Sequence, residues 1–562
     1  MTQAAPWWKT STVYQIYPRS FQDSNGDGVG DVAGITRRIG YLKELGIDIV
    51  WLSPVFASPM VDNGYDISDY EAIDPLFGSN DDMDELIAAA SKVGIRIILD
   101  LVVNHTSNQH PWFIESLDPR SPKRDWYIWR APRAGASARD VEPGQWRGDE
   151  PNRWVSAFSG PVWTWHPQSG QYYLHFFAPE QPDLNWENPR LRAEIYAMMR
   201  RWLERGISGF RMDVINCISK PATLCDDTDG GIDRAFFGPR FHEWMQEMRR
   251  EVFDYYPDRV FFTVGETPGA TLADAQLSTD PRRKELDMIF QFEHMEFDAT
   301  HGDKFTPCAL PLAQMKKSLA RWSNGLYGCG WNSLYLSNHD RPRTVSRFGS
   351  PELFRYQSAT AWAGMLHAHQ GTPFVYQGEE LGMANYPWSD ITQFNDVETR
   401  GLWRDRVEFG DADAQTLWEG ILHASRDNAR TPMQWDDTPH AGFTTGTPWL
   451  PVNPDYIQVN AKAQQDDASS IFAFYRRLIA LRKELPIIID GTVDLLAPDH
   501  TQLWHIRRRI SGQVLEAVAN MSDTPLDYAV PEGNIVIANY PPSLRRSDRL
   551  QPWELRWVLT QA

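Results

Sequence analysis

Eight short runs of β-branched and aromatic residues, interleaved with segments of helical periodicity, constrain this chain more than any other feature of its sequence. They lie at 13–17, 47–52, 96–102, 209–212, 260–264, 288–291, 332–336 and 373–376. Several are apolar almost throughout, as parallel strands buried on both faces must be. One intervening helix is written out in full. Asn188 suits its N-cap and Pro189 its first turn, Leu191, Ile195, Met198 and Trp202 recur at helical spacing, and Gly206 stops it. Strand and helix repeated eight times predict an α/β fold, a (β/α)8 TIM barrel.

Two excursions interrupt the repeat. Residues 104–186 are rich in Trp, Pro and Gly and lack a clean strand–helix unit, which predicts a small domain inserted at the barrel mouth after the third strand. Residues 378–464 form a second long loop after the eighth. The barrel then comprises 1–103 and 187–484. Beyond about 485 the pattern turns to alternating strands, with 503–510 and 513–520 joined at Ser511-Gly512, so 485–562 is read as a C-terminal antiparallel β-domain.

A chain of 562 residues exceeds what one core supports, and its apolar and charged fractions are those of an ordinary globular protein. Its 74 acidic and 55 basic residues leave a charge of −19. That field repels phosphate backbones and anionic lipid, so neither nucleic acid nor membrane is expected as a partner. No basic leader pattern or membrane-length apolar run occurs, and a cytoplasmic location is expected. Cys217, Cys225, Cys308 and Cys329 lack zinc or redox spacing and are expected to be reduced or buried thiols. The 24 Trp residues exceed ordinary packing needs and offer faces on which sugar C–H groups stack.

Chemistry-bearing residues gather where the predicted strands end. Asp100 lies in the third, with Asn104 and His105 just beyond it; Arg211 and Asp213 close the fourth; Glu266 follows the fifth; His339 and Asp340 follow the seventh. Side chains at i and i+2 of a strand share a face, so Arg211 stands beside Asp213 and can hold it ionised. Alone, an Arg-x-Asp pair reads as a salt bridge. Acids at successive strand ends of a barrel converge on one mouth. Three acids with arginine and histidines, and no metal-ligand cluster among them, suit glycosidic-bond cleavage: one carboxylate attacks the anomeric carbon and another acid protonates the departing oxygen.

Four segments, Asp100-Leu-Val-Val-Asn-His105, Gly209 to Val214, Gly265-Glu266 and Asn338-His339-Asp340, resemble the signature regions of the α-amylase superfamily, glycoside hydrolase family 13. The resemblance covers essentially the whole barrel and includes Gln181-Pro-Asp-Leu-Asn-Trp186. It implies Asp213 as nucleophile, Glu266 as general acid/base and Asp340 as the acid that binds and distorts the sugar. It implies also that His105, Arg211 and His339 hydrogen-bond that sugar. Within the superfamily the chain is most similar to the oligo-1,6-glucosidase group. By that resemblance Gly64-Tyr65-Asp66 and Ser425 to Arg430 close the pocket on the non-reducing end, with Asp66 and Arg426 gripping the terminal glucose. Phe158, Phe177, Gln181, Glu398 and Arg430 match further binding positions.

These likenesses imply an exo-acting, retaining α-glucosidase acting on small α-glucosidic oligosaccharides, as a monomer or weak homo-oligomer. Val214, after the nucleophile, matches α-1,6-specific relatives, whereas α-1,4-specific ones carry Ala or Thr there. Arg341 departs from the group, which usually has Gln, and places a cation on the leaving-group side. Sucrose isomerases of similar scaffold carry an Arg-Leu-Asp-Arg-Asp loop that is absent between Phe290 and Trp331. The alternatives are an α-glucosidase of broader, α-1,4 or sucrose specificity, and a glucosyl transferase or isomerase acting on sucrose or trehalose. Non-enzymatic transporter subunits of the superfamily have lost the acids that are complete here.

Asp23, Asn25, Asp27 and Asp31 place oxygen side chains at positions 1, 3, 5 and 9 of a loop with Gly28 at 6 and the Val29 carbonyl at 7. That spacing wraps a hard cation, although the Glu usual at position 12 of such loops is replaced by Gly34. Relatives bind a structural Ca²⁺ at this place, so Ca²⁺ or Mg²⁺ is expected here, and no metal for catalysis.

Overall fold

The computed structural model describes residues 6–221, 224 and 230–561. Its centre is a parallel eight-stranded sheet: β1 (Val13–Ile16), β2 (Ile49–Leu52), β3 (Arg96–Leu101), β4 (Gly209–Met212), β5 (Phe262–Glu266), β6 (Met288–Phe290), β7 (Ser333–Leu334) and β8 (Thr372–Tyr376). β1 pairs with both β2 and β8, and a parallel bridge between Ile289 and Asn332 joins β6 to β7, which closes the barrel.

Period-two alternation explains where the site lies. Phe210, Met212, Val50, Leu52, Ile97, Leu99 and Leu101 face outward into the core shared with the helices. Val13, Ile49, Trp51, Ile98, Phe262, Val264, Met288, Phe290 and Phe374 form a separate core inside the barrel. Continuing two residues along the inward face leads from Val13 to Gln15, from Ile98 to Asp100 and from Val264 to Glu266. The inward side chains thus change from apolar to polar or charged as the strands reach the mouth.

The helix before β4 runs Pro189–Arg205. The Asn188 side chain accepts from the Arg190 and Leu191 amides, and Gly206 closes the helix at φ 116°. β5 begins later than its apolar run suggests. Val260 is exposed, and pairing with β4 starts at Phe262 opposite Gly209, which carries the strand through Glu266.

Residues 104–186 contain a three-stranded antiparallel sheet of Trp129–Arg130, Gln171–Leu174 and Trp163–His166. At the C-terminal end, strands Leu503–Ile510 and Gln513–Asn520 pair antiparallel within a five-stranded sheet and turn through Gly512 at φ 77°. That sheet is fastened to the barrel by Arg508, fully buried, whose guanidinium donates to the carbonyls of Ala368, Ile488, Gly491 and Thr492. Cys217, Cys308 and Cys329 are free thiols, Cys308 being exposed; Cys225 lies outside the described residues. Among the described residues no helix is long and apolar enough to cross a membrane.

Candidate active site

Arg211 is the hub of the barrel mouth. It is 1 % exposed, and its Nη1 lies 2.8 Å from Asp100 Oδ1 and 2.6 Å from Asp213 Oδ1, while Nη2 lies 2.7 Å from Glu266 Oε1. One guanidinium therefore spans both Asp213 and Glu266. Trp51 Nε1 and the Tyr65 hydroxyl donate to the other Asp100 oxygen at 3.2 and 3.0 Å, so Asp100 is fully engaged and acts as the anchor of Arg211.

Burial pushes the Asp213 and Asp100 carboxyls up, against the pull of Arg211. Burial also disfavours the Arg211 cation, but its carboxylate neighbours hold its pKa well above the ordinary value. Three carboxylates around one guanidinium leave excess negative charge in a desolvated place.

Asp340 is placed oppositely. Burial alone would raise its pKa, yet His339, Arg426 and Arg430 pull it well below the usual carboxylate range. His339 Nε2 stands 3.0 Å from Asp340 Oδ2, and Arg430 Nη2 lies 2.9 Å from Oδ1. Gln15 Nε2 faces His339 Nδ1 at 2.7 Å; an amide NH2 can only donate, so Nδ1 accepts and the proton sits on Nε2, toward Tyr65 and Asp340. His105 is buried, and desolvation takes its pKa down to about 3, which keeps the ring neutral. Gln181 Nε2 lies 3.2 Å from it.

Val214 sits at φ 32°, ψ 42°, a left-handed conformation that a β-branched residue seldom adopts. The turn delivers its amide to Glu266 Oε2 at 3.0 Å, so local strain at this residue is coupled to the placement of Glu266.

The pocket end differs from the sequence expectation. Arg426 does not pair with Asp66; it pairs with Asp62, Nη2 to Oδ1 at 3.0 Å. Asp66 is fully buried and accepts the Val61 and Asp62 amides at 2.9 and 3.0 Å. It therefore builds the turn, through left-handed Met60, Asn63 and Gly64, that presents Asp62. Burial raises the Asp66 pKa to about 6.

Sequence reasoning also missed Asp396, which caps the helix Val397–Trp403 and holds Arg426 at 2.6 Å, and Lys304, which pairs with Glu398 at 2.6 Å. Phe292 was missed too. Asp62, Tyr65, His105, Phe158, Phe177, Asp213, Val214, Glu266, Phe292, Lys304, Asp340, Arg341, Glu398 and Arg426 line one cavity of about 170 Å³, room for a sugar ring rather than a chain. Gln181, Arg211, His339 and Arg430 support that lining from behind. Larger cavities of about 460 and 500 Å³ are not lined by Asp213, Glu266 or Asp340, although the second adjoins the site at Phe158 and Phe177.

The expected cation loop is drawn together by its own side chains. Asp23 accepts the amides of Asn25, Gly26 and Gly28 and the Thr444 hydroxyl, Asn25 accepts that of Asp27, and Asp27 that of Val29. Asp31 caps the helix Val32–Leu45 through Gly34 and accepts the Ser24 amide. Among the described residues no three His, Cys, Asp or Glu side chains converge as a metal cluster. A cation here would thus rely on the Asn25 amide oxygen and the Val29 carbonyl beside Asp23 and Asp27. Oxygen donors suit a hard cation, but Asp23 already accepts four hydrogen bonds, as many as a carboxylate has lone-pair sites, whereas Asp27 accepts two, so a cation would draw chiefly on Asp27, Asn25 and Val29.

Residues 15–491 match the family model described as alpha amylase, catalytic domain. The chain is 48% identical over 567 residues to an oligo-1,6-glucosidase of Parageobacillus thermoglucosidasius, covering 98% of each. A crystal structure of Bacillus licheniformis trehalose-6-phosphate hydrolase superimposes with a TM-score of 0.93 at 41% identity, covering 99% of this chain and 100% of that one. A trehalulose synthase variant does so at 0.92 and 40% identity, with the same coverage.

Proposed function

The chain belongs to the α-amylase superfamily, glycoside hydrolase family 13, and from that premise we propose an exo-acting, retaining α-glucosidase that releases glucose from non-reducing ends of α-1,6-linked oligosaccharides. The observation that carries this reading is the Asp62–Arg426 pair across one end of a pocket whose other side holds Asp213 and Glu266 on one guanidinium. Such a pocket admits one sugar beyond the scissile bond. The same reading is supported by the similarity to the oligo-1,6-glucosidase.

Asp213 attacks C1 of the bound glucose as the bond from C1 to the leaving oxygen breaks, and that oxygen takes the Glu266 proton. The product is a β-glucosyl ester on Asp213. Glu266, now a carboxylate, takes a proton from water as the water oxygen bonds C1, which frees Asp213 and gives α-glucose. Two inversions retain configuration, for which the two carboxyls need a separation of about 5–5.5 Å. Asp340, ionised and held by His339 and Arg430, binds the hydroxyls of the distorting sugar and offsets the charge that develops on its ring.

Val214 bears on linkage because its branched side chain lines the cavity beside the nucleophile. A substrate panel tests the reading. Isomaltose is expected to be cleaved faster than maltose, with α-glucose as the first product by NMR, and Val214→Ala is expected to shift the ratio toward maltose. Rapid cleavage of maltose with isomaltose untouched would sink the α-1,6 assignment. The second reading, glucosyl transfer or isomerisation on sucrose or trehalose, draws on the likeness to the trehalulose synthase; the same panel reveals it as isomerised product.

The loop 23–31 is proposed as a structural Ca²⁺ site, with Mg²⁺ as the alternative. A chelator is expected to lower the thermal midpoint by roughly a few °C, and Asp27→Ala to abolish that sensitivity. An unchanged midpoint would remove the assignment.

A further inference from the structure

The cations of the catalytic cavity are neutralised with one exception. Arg211 has three acids, Arg426 pairs with Asp62, Asp396 and Asp340, and Lys304 pairs with Glu398. Arg341 lines the same cavity, half-buried, and among the described residues its guanidinium forms no ion pair and no hydrogen bond; its neighbour is the Phe292 ring, 5.8 Å away. The acids nearest in sequence to that ring do not neutralise it. Glu293 is taken by Arg321 and Trp322, and Glu296 feels the Arg341 charge without pairing with it.

The position of Arg341 tells which part of a substrate it meets. Phe292 follows β6, and β6 pairs with β5 at Phe290 opposite Glu266, so Arg341 stands on the general acid's side of the pocket. The Asp62–Arg426 pair forms another part of the lining, with Arg426 3.5 Å from the same Glu398 that Lys304 pairs with. The leaving group must lie on the side of the group that protonates it. Lys304, itself paired with Glu398, lies near enough that the Arg341 charge adds to burial in lowering its pKa. A half-desolvated guanidinium without a counter-ion favours binding an anion there, and its planar fork suits a phosphate or carboxylate. The chain's net charge of −19 repels an anion at long range, but salt screens that repulsion beyond about 8 Å.

On the glucosidase reading proposed above, the geometry points to a leaving group that carries an anion, a phosphorylated or carboxylated sugar, recognised by Arg341 with Lys304 beside it. The bond broken and the proton transferred are those already described; Arg341 holds the departing moiety. Glucose 6-phosphate, glucuronate and glucose serve as probes of the leaving-group side, with binding to the full-length enzyme measured by calorimetry. Glucose 6-phosphate is expected to bind about 10-fold more tightly than glucose, and the preference to vanish in Arg341→Gln and survive in Arg341→Lys. Tight binding of glucuronate as well would identify any anion as sufficient; binding of glucose 6-phosphate alone would restrict the class to phosphates. In parallel, the kcat/KM ratio of trehalose 6-phosphate to trehalose is expected to fall about 10-fold in Arg341→Gln. Equal binding of glucose and both anions, or a preference that persists in Arg341→Gln, overturns this inference while leaving the glucosidase reading standing. Loss of all α-glucoside hydrolysis in the unmodified enzyme would instead overturn the glucosidase reading.

Discussion

Asp213→Asn is expected to lower kcat/KM on an aryl α-glucoside by at least about 10⁴-fold, because the amide keeps the shape of the carboxylate and loses the nucleophilic oxygen. The fold should tolerate the change. Arg211 retains Asp100 and Glu266, and the cluster sheds one of the negative charges that burial makes costly. The partner variant separates the roles of the two acids. Glu266→Gln should cost a disaccharide roughly 10³-fold or more, since the sugar oxygen must be protonated to leave. An aryl glucoside with a strongly acidic phenol should lose far less in its first step, because that oxygen departs without a proton. Steady-state rates across a series of phenols of differing acidity check this. If Asp213→Asn still hydrolyses the substrate, or if Glu266→Gln shows the same loss for every leaving group, the double displacement is wrong.

Asp62 and Asp66 are expected to fail in different ways. Asp62→Ala removes the carboxylate that closes the pocket on Arg426 and would engage the terminal glucose, and kcat/KM should fall about 10²-fold or more. Asp66→Ala leaves the Val61 and Asp62 amides without their acceptor, at about 1–3 kcal/mol for each buried donor, so its main effect should be on thermal inactivation. The Asp66→Asn variant sharpens the test. Its side chain presents one acceptor oxygen in place of two, so it should sit between wild type and Asp66→Ala in stability while keeping Asp62 in place. Should Asp66→Ala be as stable as wild type and as impaired as Asp62→Ala, the sugar-binding carboxylate would be Asp66 after all.

Much of the fold was legible because it rests on local physics. A strand buried on both faces must be largely apolar, so β1, β2, β3 and β8 are visible as runs. Asn188, Pro189 and Gly206 mark a helix by backbone rules that need no partner. The 503–520 hairpin announces itself through Gly512, the one turn residue free to take φ 77°. β5 was placed early because its apolar run starts before the residues that find a partner strand; pairing with β4, a property of two segments, decides where it begins.

The site divides along the same line. Asp100, Asp213 and Glu266 were readable as strand-end acids, because alternation carries the inward face of each strand to the mouth. The choice between Asp62 and Asp66 was not. Both sit in one short loop, and only the fold reveals that one accepts backbone amides while the other meets Arg426, 364 residues away in sequence. Lys304, Phe292 and Asp396 were illegible for a related reason. Each lies on a connection whose own pattern is unremarkable, and each matters only through a neighbour that the barrel brings to it.

By itself, then, the sequence determined the barrel, the order of its strands and the acids at their ends, since these follow from burial and alternation within single segments. Tertiary structure alone decided which charges neutralise one another. Ion pairing depends on distances between segments far apart in the chain, and from those distances come the hub at Arg211, the closure by Asp62 and, among the described residues, the unpaired cation at Arg341.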